Sequence, residues 1–336
     1  MCSRQFDPIF FNFVDPRYPG TTELWKEQAK LLIYMVGAKG FEPSTLWSQT
    51  RCATRLRYAP TRLDSNRHSV ARGCGSAKVS GMRNNNGLAL PWLDPGEAFP
   101  AVEQSWGPAS EAPGLLAAGG QLDVATLRAA YSRGIFPWFS DGQPILWWSP
   151  DPRMVLGVAD FRLHHSLRKT LRRFRQSGNC EIRFDSAFAQ VLHQCASARR
   201  VGADGTWIVP EMQQAYCAMH RAGFAHSVET WVDGEMAGGL YCVALGKAVF
   251  GESMFSARPD ASKIALAALV CFCRAHGIPL IDCQQNTRHL ASMGAAEMPR
   301  SAFLAACSQG LGMDAPHWEF DALYWQQLLP QRPADK

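Results

Sequence analysis

The 336-residue sequence lacks several features, and each absence closes off a class of function. It has no run of 18 apolar residues, so no stretch has the length and hydropathy of a membrane-spanning helix. The N-terminus, MCSRQFDPIFFNFVD, has no basic start followed by an apolar stretch, which argues against a secretory leader. Eleven cysteines include no CxxC pair and no converging Cys/His spacing, so no zinc site is expected. Several cysteines fall inside apolar runs and read as small buried thiols in a reducing compartment. Charged residues make up 19%, and the net charge of +5 is unevenly placed. Residues 1–81 carry 12 Lys/Arg against 6 Asp/Glu, whereas residues 82–336 carry 22 against 23. The excess charge therefore sits in the N-terminal segment, and the rest of the chain is nearly neutral.

That N-terminal segment lacks a sustained hydrophobic period over 38–81 and is expected to have no core. Its string GFEPSTLWSQTRCATRLRYAP (40–60) resembles translated tRNA-gene DNA, which points to Met82 as the expected start; a basic nucleic-acid-binding tail is the other reading. Beyond Phe99 the chain becomes regular. Residues 113–120 predict a turn and 122–134 a short helix, capped by Asp123 and ended at Gly134. Residues 135–153, IFPWFSDGQPILWWSPDPR, hold three Trp, two Phe and four Pro. They are expected to form a rigid aromatic loop, neither a long helix nor a central strand. In HSLRKTLRRFR (165–175), Leu167, Leu171 and Phe174 share one helical face. Arg168, Arg172 and Arg175 share another, flanked by Lys169 and Arg173, and this cationic face is a candidate for phosphate contacts.

A strand is expected at 180–184, a helix capped by Asp185 and running to about Ala198, and a helix from Pro210 to Gly223. A hairpin turning at Asp233-Gly234 follows, then a third strand from Ala248, an Ala-rich apolar helix from Asp260 to Gly277, and a strand at 279–283. This order is α+β, and the apolar helix needs a sheet on one side and a second layer on the other.

Three stretches are specific together: GxFPWFxxxxPILWWSPDPR (134–153), FGESMFSxxxxASKxAL (250–266) and LIDCQ (280–284). With GLLAAGG (114–120), CAS (195–197), GTWI (205–208), AHSVE (225–229) and MGAAEMPR (293–300), the chain resembles the leucyl/phenylalanyl-tRNA–protein transferase family over about 220 of its 336 residues. The resemblance implies a GNAT-like acyltransferase domain at 156–325 and a smaller N-terminal α/β domain at 82–155, with a tail from 326. It implies Leu-, Phe- and, less readily, Met-tRNA as donors. The acceptors would be proteins with N-terminal Arg or Lys, and the products would be marked for degradation. The implied enzyme is cytoplasmic, monomeric and free of cofactor and metal.

The resemblance carries catalytic roles to Glu252, Asp282 and Gln284. It places Trp138, Trp207, Leu240, Val249 and Phe250 in or near an apolar amino-acid pocket. An aminoacyl ester is already activated, so aminolysis needs a neutral amine, a positioned carbonyl and stabilisation of developing charge. Strand alternation would put Asp282 and Gln284 on one face and Cys283 on the other. A glutamine amide is a very weak base, so orientation by Gln284 in the field of Asp282 is the expected role. Glu252 could instead hold the acceptor's cationic groups. Cys283 as nucleophile would need a His base, and no spacing brings His289 to it. Two other readings are an acetyl-CoA-dependent GNAT enzyme and a non-enzymatic RNA-binding module. Against the first, FSARPDASK (255–263) has Arg258, Pro259 and Asp260 where a pyrophosphate loop would have glycines. The second leaves Glu252 and the polar pair of LIDCQ unexplained.

Overall fold

The computed structural model describes residues 82–83, 89–198 and 208–329. The expectations for residues 1–81, and for Trp207, lie outside them.

A short hairpin pairs β1 (Met82–Arg83) with β2 (Ala89–Leu90). The next four strands, β3 (Trp92–Leu93), β4 (Leu115–Gly119), β5 (Phe136–Pro137) and β6 (Leu146–Trp148), form a sheet in the order β3-β4-β6-β5. Two expectations are corrected here. The turn at 113–120 is largely the buried strand β4, and the aromatic segment supplies a central strand, β6. The prolines allow this through their positions. Pro137 lies on edge strand β5, while Pro144 and Pro150 flank β6, so no missing N–H interrupts the inner ladder. Between these strands runs α1 (Val124–Tyr131), where the Asp123 carboxylate accepts from Thr126 N at 2.6 Å and Gly134 follows at φ +67°.

The larger sheet has seven strands: β7 (Arg153–Gly157), β8 (Cys180–Phe184), β9 (Ala225–Val232), β10 (Glu235–Leu245), β11 (Ala248–Ser256), β12 (Leu280–Gln284) and β13 (Ala296–Met298). Their order is β13-β7-β12-β11-β10-β9-β8, antiparallel except for the parallel pair β11–β12. The predicted hairpin is β9–β10; its turn residues Asp233 and Gly234 both have positive φ, as a tight two-residue connection requires. Helices α2 (His165–Gln176), α3 (Phe188–Ser197), α4 (Pro210–Arg221), α5 (Ala261–Ala275), α6 (Arg288–Ser292) and α7 (Arg300–Leu311) complete the mixed α and β architecture.

Period-two alternation along β10 separates two apolar cores. Leu240, Cys242 and Ala244 join the core formed with α5, whereas Tyr241 and Val243 join the core formed with α3, α4 and the small sheet. Helix α5 is buried around most of its circumference, as its composition requires; the second layer over it includes a 3-10 helix, Ala322–Gln327, whose Trp325 is buried. Leu328 and Leu329 are also buried, so the described chain stays packed beyond residue 326, where a tail was expected to begin. Asp185 is not a helix cap. It adopts φ +56°, and its carboxylate accepts from Ser227 N and contacts His226 Nδ1, each at 2.7 Å. The α3 N-terminus is served by buried Glu229, which accepts from Ala187 N at 2.7 Å.

Candidate active site

The site forms where the two parallel strands part. Strands β11 and β12 are in register at Val249–Ile281 and Phe250–Asp282, and beyond these pairs a cavity of about 250 Å³ opens. Leu240, Met254, Leu266, Leu269, Ile281 and Leu290 provide its apolar wall. Glu252, Gln284, Thr287 and His289 provide polar groups at the same wall. The volume lies below the ~300–1,000 Å³ of drug-sized pockets and suits a single amino-acid side chain.

Glu252 enters this cavity from a β-bulge. In the β10–β11 ladder Tyr241 pairs with Ser253 and Cys242 with Gly251, so Glu252 is the extra residue, re-aimed by the local break. The hydroxyls of Tyr131 (α1) and Tyr216 (α4) lie 2.8 Å from its Oε1 and 2.9 Å from its Oε2, and 2.7 Å from each other. Gln284 Nε2 donates to Oε1 at 3.3 Å. Burial pushes the Glu252 carboxyl up to about 7, against the opposing effect of the two tyrosine hydroxyls. Both tyrosines are raised well above their usual value, first by burial and then by the charge of Glu252.

Asp282 is arranged differently from the expectation. Its carboxylate is fully buried and makes a two-pronged pair with Arg153, Nε to Oδ1 at 2.8 Å and Nη2 to Oδ2 at 2.6 Å. It meets Gln284 at the backbone, accepting from Gln284 N at 3.0 Å. Simple alternation fails along this strand because Cys283 is an extra residue against β7 and Gln284 has φ +56°. The twist leaves Asp282 beneath the floor while Gln284 reaches Glu252 at the cavity wall. Cys283 also lines the cavity, and burial pushes its thiol up, away from the thiolate a nucleophile needs.

Of the expected pocket residues that are described, Leu240 stands in the cavity wall. Val249 is buried in the α5 core, and fully buried Phe250 packs on Tyr131 with ring centroids 5.2 Å apart. Half-buried Trp138 packs edge-on against Trp148 at 5.4 Å instead of lining this cavity. Sequence reasoning missed Leu266, Leu269 and Ile281 as wall residues, and Tyr131 and Tyr216 as partners of Glu252. A buried tyrosine on an amphipathic helix was the available signal for the last two. A wider hollow of about 500 Å³ lies near Trp92, Phe139 and Glu211, but it contains none of the residues expected to carry chemistry.

Helix α2 has the anticipated faces. Leu167, Leu171 and Phe174 are buried; Lys169, Arg172, Arg173 and Arg175 are exposed and Arg168 is half-buried. Among the described residues, no carboxylate lies within ion-pair distance of these five cations.

Comparison with known proteins matches this framework. The family model described as leucyl/phenylalanyl-tRNA protein transferase aligns with residues 155–308, and the one for that family's N-terminal domain with 120–151. A leucyl/phenylalanyl-tRNA–protein transferase from Albidiferax ferrireducens is 66% identical over 240 residues, covering 71% of this chain and 94% of the relative. Those from a Polaromonas species and Leptothrix cholodnii are 63% and 59% identical, covering 71% and 73% of this chain and 94% and 97% of the relatives. With two family models matching consecutive stretches and relatives of 59–66% identity covering more than two thirds of its length, the chain belongs to the leucyl/phenylalanyl-tRNA protein transferase family.

Proposed function

We infer that this protein transfers leucyl or phenylalanyl groups from aminoacyl-tRNA to the N-terminus of an acceptor protein by peptide-bond formation. The observation that carries the inference beyond family membership is the cavity between β11 and β12: an apolar wall that fits one aliphatic or aromatic side chain, edged by Glu252 and Gln284. The donor's side chain occupies the apolar end, and its ester carbonyl lies toward the polar edge. Methionine, unbranched and of similar length, is a poorer donor for the same pocket. The acceptors carry N-terminal Arg or Lys, and the new N-terminal residue marks them for degradation.

In this reading Gln284 orients the ester or the amine, and Asp282 acts from beneath by fixing the Gln284 peptide through its backbone N–H. Asp282 is thus a positioning residue. The exposed cations of α2 hold the tRNA backbone, supported by their lack of carboxylate partners among the described residues. The larger domain, 156–325, is read as GNAT-like and 82–155 as the smaller domain; two family models meeting between residues 151 and 155 support a boundary there. Dependence on aminoacyl-tRNA makes the cytoplasm the place of action. Among the described residues no helix is long and apolar enough to cross a membrane.

The test is incubation of purified protein with radiolabelled Leu-tRNA and an Arg-initiated peptide, with free leucine as control. Labelled peptide from Leu-tRNA alone is the expected result. Label from free leucine, or none from the tRNA, would overturn it.

A further inference from the structure

The oxygens around Glu252 pose a counting problem. Three separations close into a cycle: Tyr131 Oη to Glu252 Oε1 at 2.8 Å, Tyr216 Oη to Oε2 at 2.9 Å, and the two hydroxyls at 2.7 Å. Each is a hydrogen-bond distance between oxygens, and each needs a proton between its partners. The tyrosines supply two protons, and burial, the largest cause of their raised pKa values, keeps both in place whatever the charge of Glu252. An ionised Glu252 supplies none, so one of the three contacts would set lone pair against lone pair in a buried place. A neutral Glu252 supplies the third proton, and every contact is then made.

Gln284 favours one direction around the cycle. Its Nε2 donates to Oε1, which suits Oε1 as the carbonyl oxygen and Oε2 as the hydroxyl. Oε2 then donates to Tyr216, Tyr216 to Tyr131, and Tyr131 to Oε1. Among the described residues, the other titratable or charged groups around this cycle are Tyr241 and Cys242 from β10, Asp282 and Cys283 from β12 and Arg153 from β7, with His289 from α6 lining the same cavity. The Asp282 charge favours the neutral acid, whereas Arg153, itself occupied by Asp282, opposes it.

We propose that Tyr131, Tyr216 and Glu252 form a closed ring of three protons in which Glu252 rests as a neutral acid and serves as the proton-exchange group of aminoacyl transfer. The second half of this rests on the transferase reading above. Ester aminolysis forms a bond from the acceptor's amine nitrogen to the ester carbonyl carbon and breaks the carbon–oxygen bond to the tRNA ribose. Glu252 gives its proton to the departing ribose oxygen and takes one from the nitrogen. The ring again holds three protons, and no outside acid or base is consumed. Tyr131 and Tyr216 are positioning residues: they hold the carboxyl in the bulge, and a concerted shift of the three protons round the ring brings the acid proton from Oε2 to Oε1, the oxygen that Gln284 meets at the cavity wall. A neutral Glu252 is a weaker ionic anchor for an acceptor's Arg or Lys than a carboxylate would be.

The test has two arms on the full-length protein. Infrared difference spectra of wild type against Glu252→Gln at pH 6, in H₂O and D₂O, should show one neutral carboxyl stretch that shifts on deuteration. Its absence would overturn the ring. In single-turnover transfer from saturating Phe-tRNA to an Arg-initiated peptide, Glu252→Gln keeps a donor and an acceptor for the ring but cannot exchange the proton. Its maximal rate should fall about a hundredfold or more, within the range for acid–base catalysis. Tyr131→Phe and Tyr216→Phe, similar in size, should each lower the rate roughly tenfold while leaving the acceptor KM within about twofold. A Glu252→Gln enzyme as fast as wild type would overturn the exchange role. If wild type transfers neither Leu nor Phe, the transferase reading fails while the infrared band still decides the ring.

Discussion

Arg153 and Asp282 form a two-pronged ion pair between β7 and β12 with side chains 1% and 0% exposed, two residues before Gln284 on the same strand. The guanidinium also lies over the rings of Phe136 and Phe303, at 4.8 and 4.7 Å from their centroids, and donates to the Gly134 carbonyl. Arg153 thereby joins the small sheet, α7 and β12. Asp282 was expected to act in catalysis, yet here its charge is matched by that of Arg153.

Removing one partner should therefore destabilise the fold. Asp282→Asn leaves a buried guanidinium without its counter-ion and should cost about 3–5 kcal/mol in urea unfolding, as should Arg153→Met. The double variant Arg153→Met/Asp282→Leu should recover much of that loss, because it strands no charge. Single variants within about 1 kcal/mol of wild type would show that the pair does not hold this junction.

The α2 cations make a separate prediction about salt. Replacing Arg168, Arg172 and Arg175 by Ala should weaken aminoacyl-tRNA binding and flatten the slope of log affinity against log salt by roughly 2–3, close to one for each phosphate no longer neutralised. Leu167, Leu171 and Phe174 keep the helix anchored, so melting temperature should barely move. An unchanged slope would make this face a solvated surface and no more.

Regular elements were legible because their signals are local. The hairpin 225–245, the strand 180–184 and the α2 stripe follow from turn residues and periodicity within a few positions. The errors arose where long-range partners overrule local pattern. Asp185 has the chemistry of a cap, but His226 and the Ser227 amide hold it, and Glu229 on the next strand takes the capping task. The aromatic segment has a proline content that argues against a central strand, yet the prolines fall just outside β6. At the site, motif resemblance brought out Glu252 and Gln284, which do meet. It could not reveal Tyr131, because 121 residues separate that side chain from Glu252 and a bulge brings them together.

The cavity wall predicts donor selectivity. Leu269 is buried at the wall on α5, so Leu269→Phe fills space that a phenylalanyl side chain needs more than a leucyl one. Discrimination by a few carbon atoms in an apolar pocket is worth about 1–3 kcal/mol. The ratio of Phe to Leu transfer, measured as kcat/KM with each aminoacyl-tRNA, should therefore fall by roughly tenfold to a hundredfold. A ratio that stays constant would place the donor side chain elsewhere.

The Glu252 ring predicts how stability depends on pH, independently of any substrate. Its carboxyl is raised from 4.5 to about 7 by burial, so between these values the folded protein binds a proton that the unfolded chain has released. Stability attributable to this group is present below pH 4.5, declines as pH rises toward 7, and is lost above it. A pKa that differs by one between the folded and unfolded chain corresponds to about 1.4 kcal/mol, so the loss is at most roughly 3–4 kcal/mol and smaller where water reaches the cavity edge. Glu252→Gln replaces the neutral acid with a neutral amide that donates toward Tyr216 and accepts from Tyr131, and it does not titrate. The variant should match wild type in urea midpoint near pH 4.5, exceed it progressively up to pH 7, and hold a constant advantage from there to pH 8.5. Asp or Glu groups elsewhere titrate equally in both proteins and cancel in the difference. A difference independent of pH would mean that Glu252 has the same protonation in both states, and the three-proton ring would be lost with it.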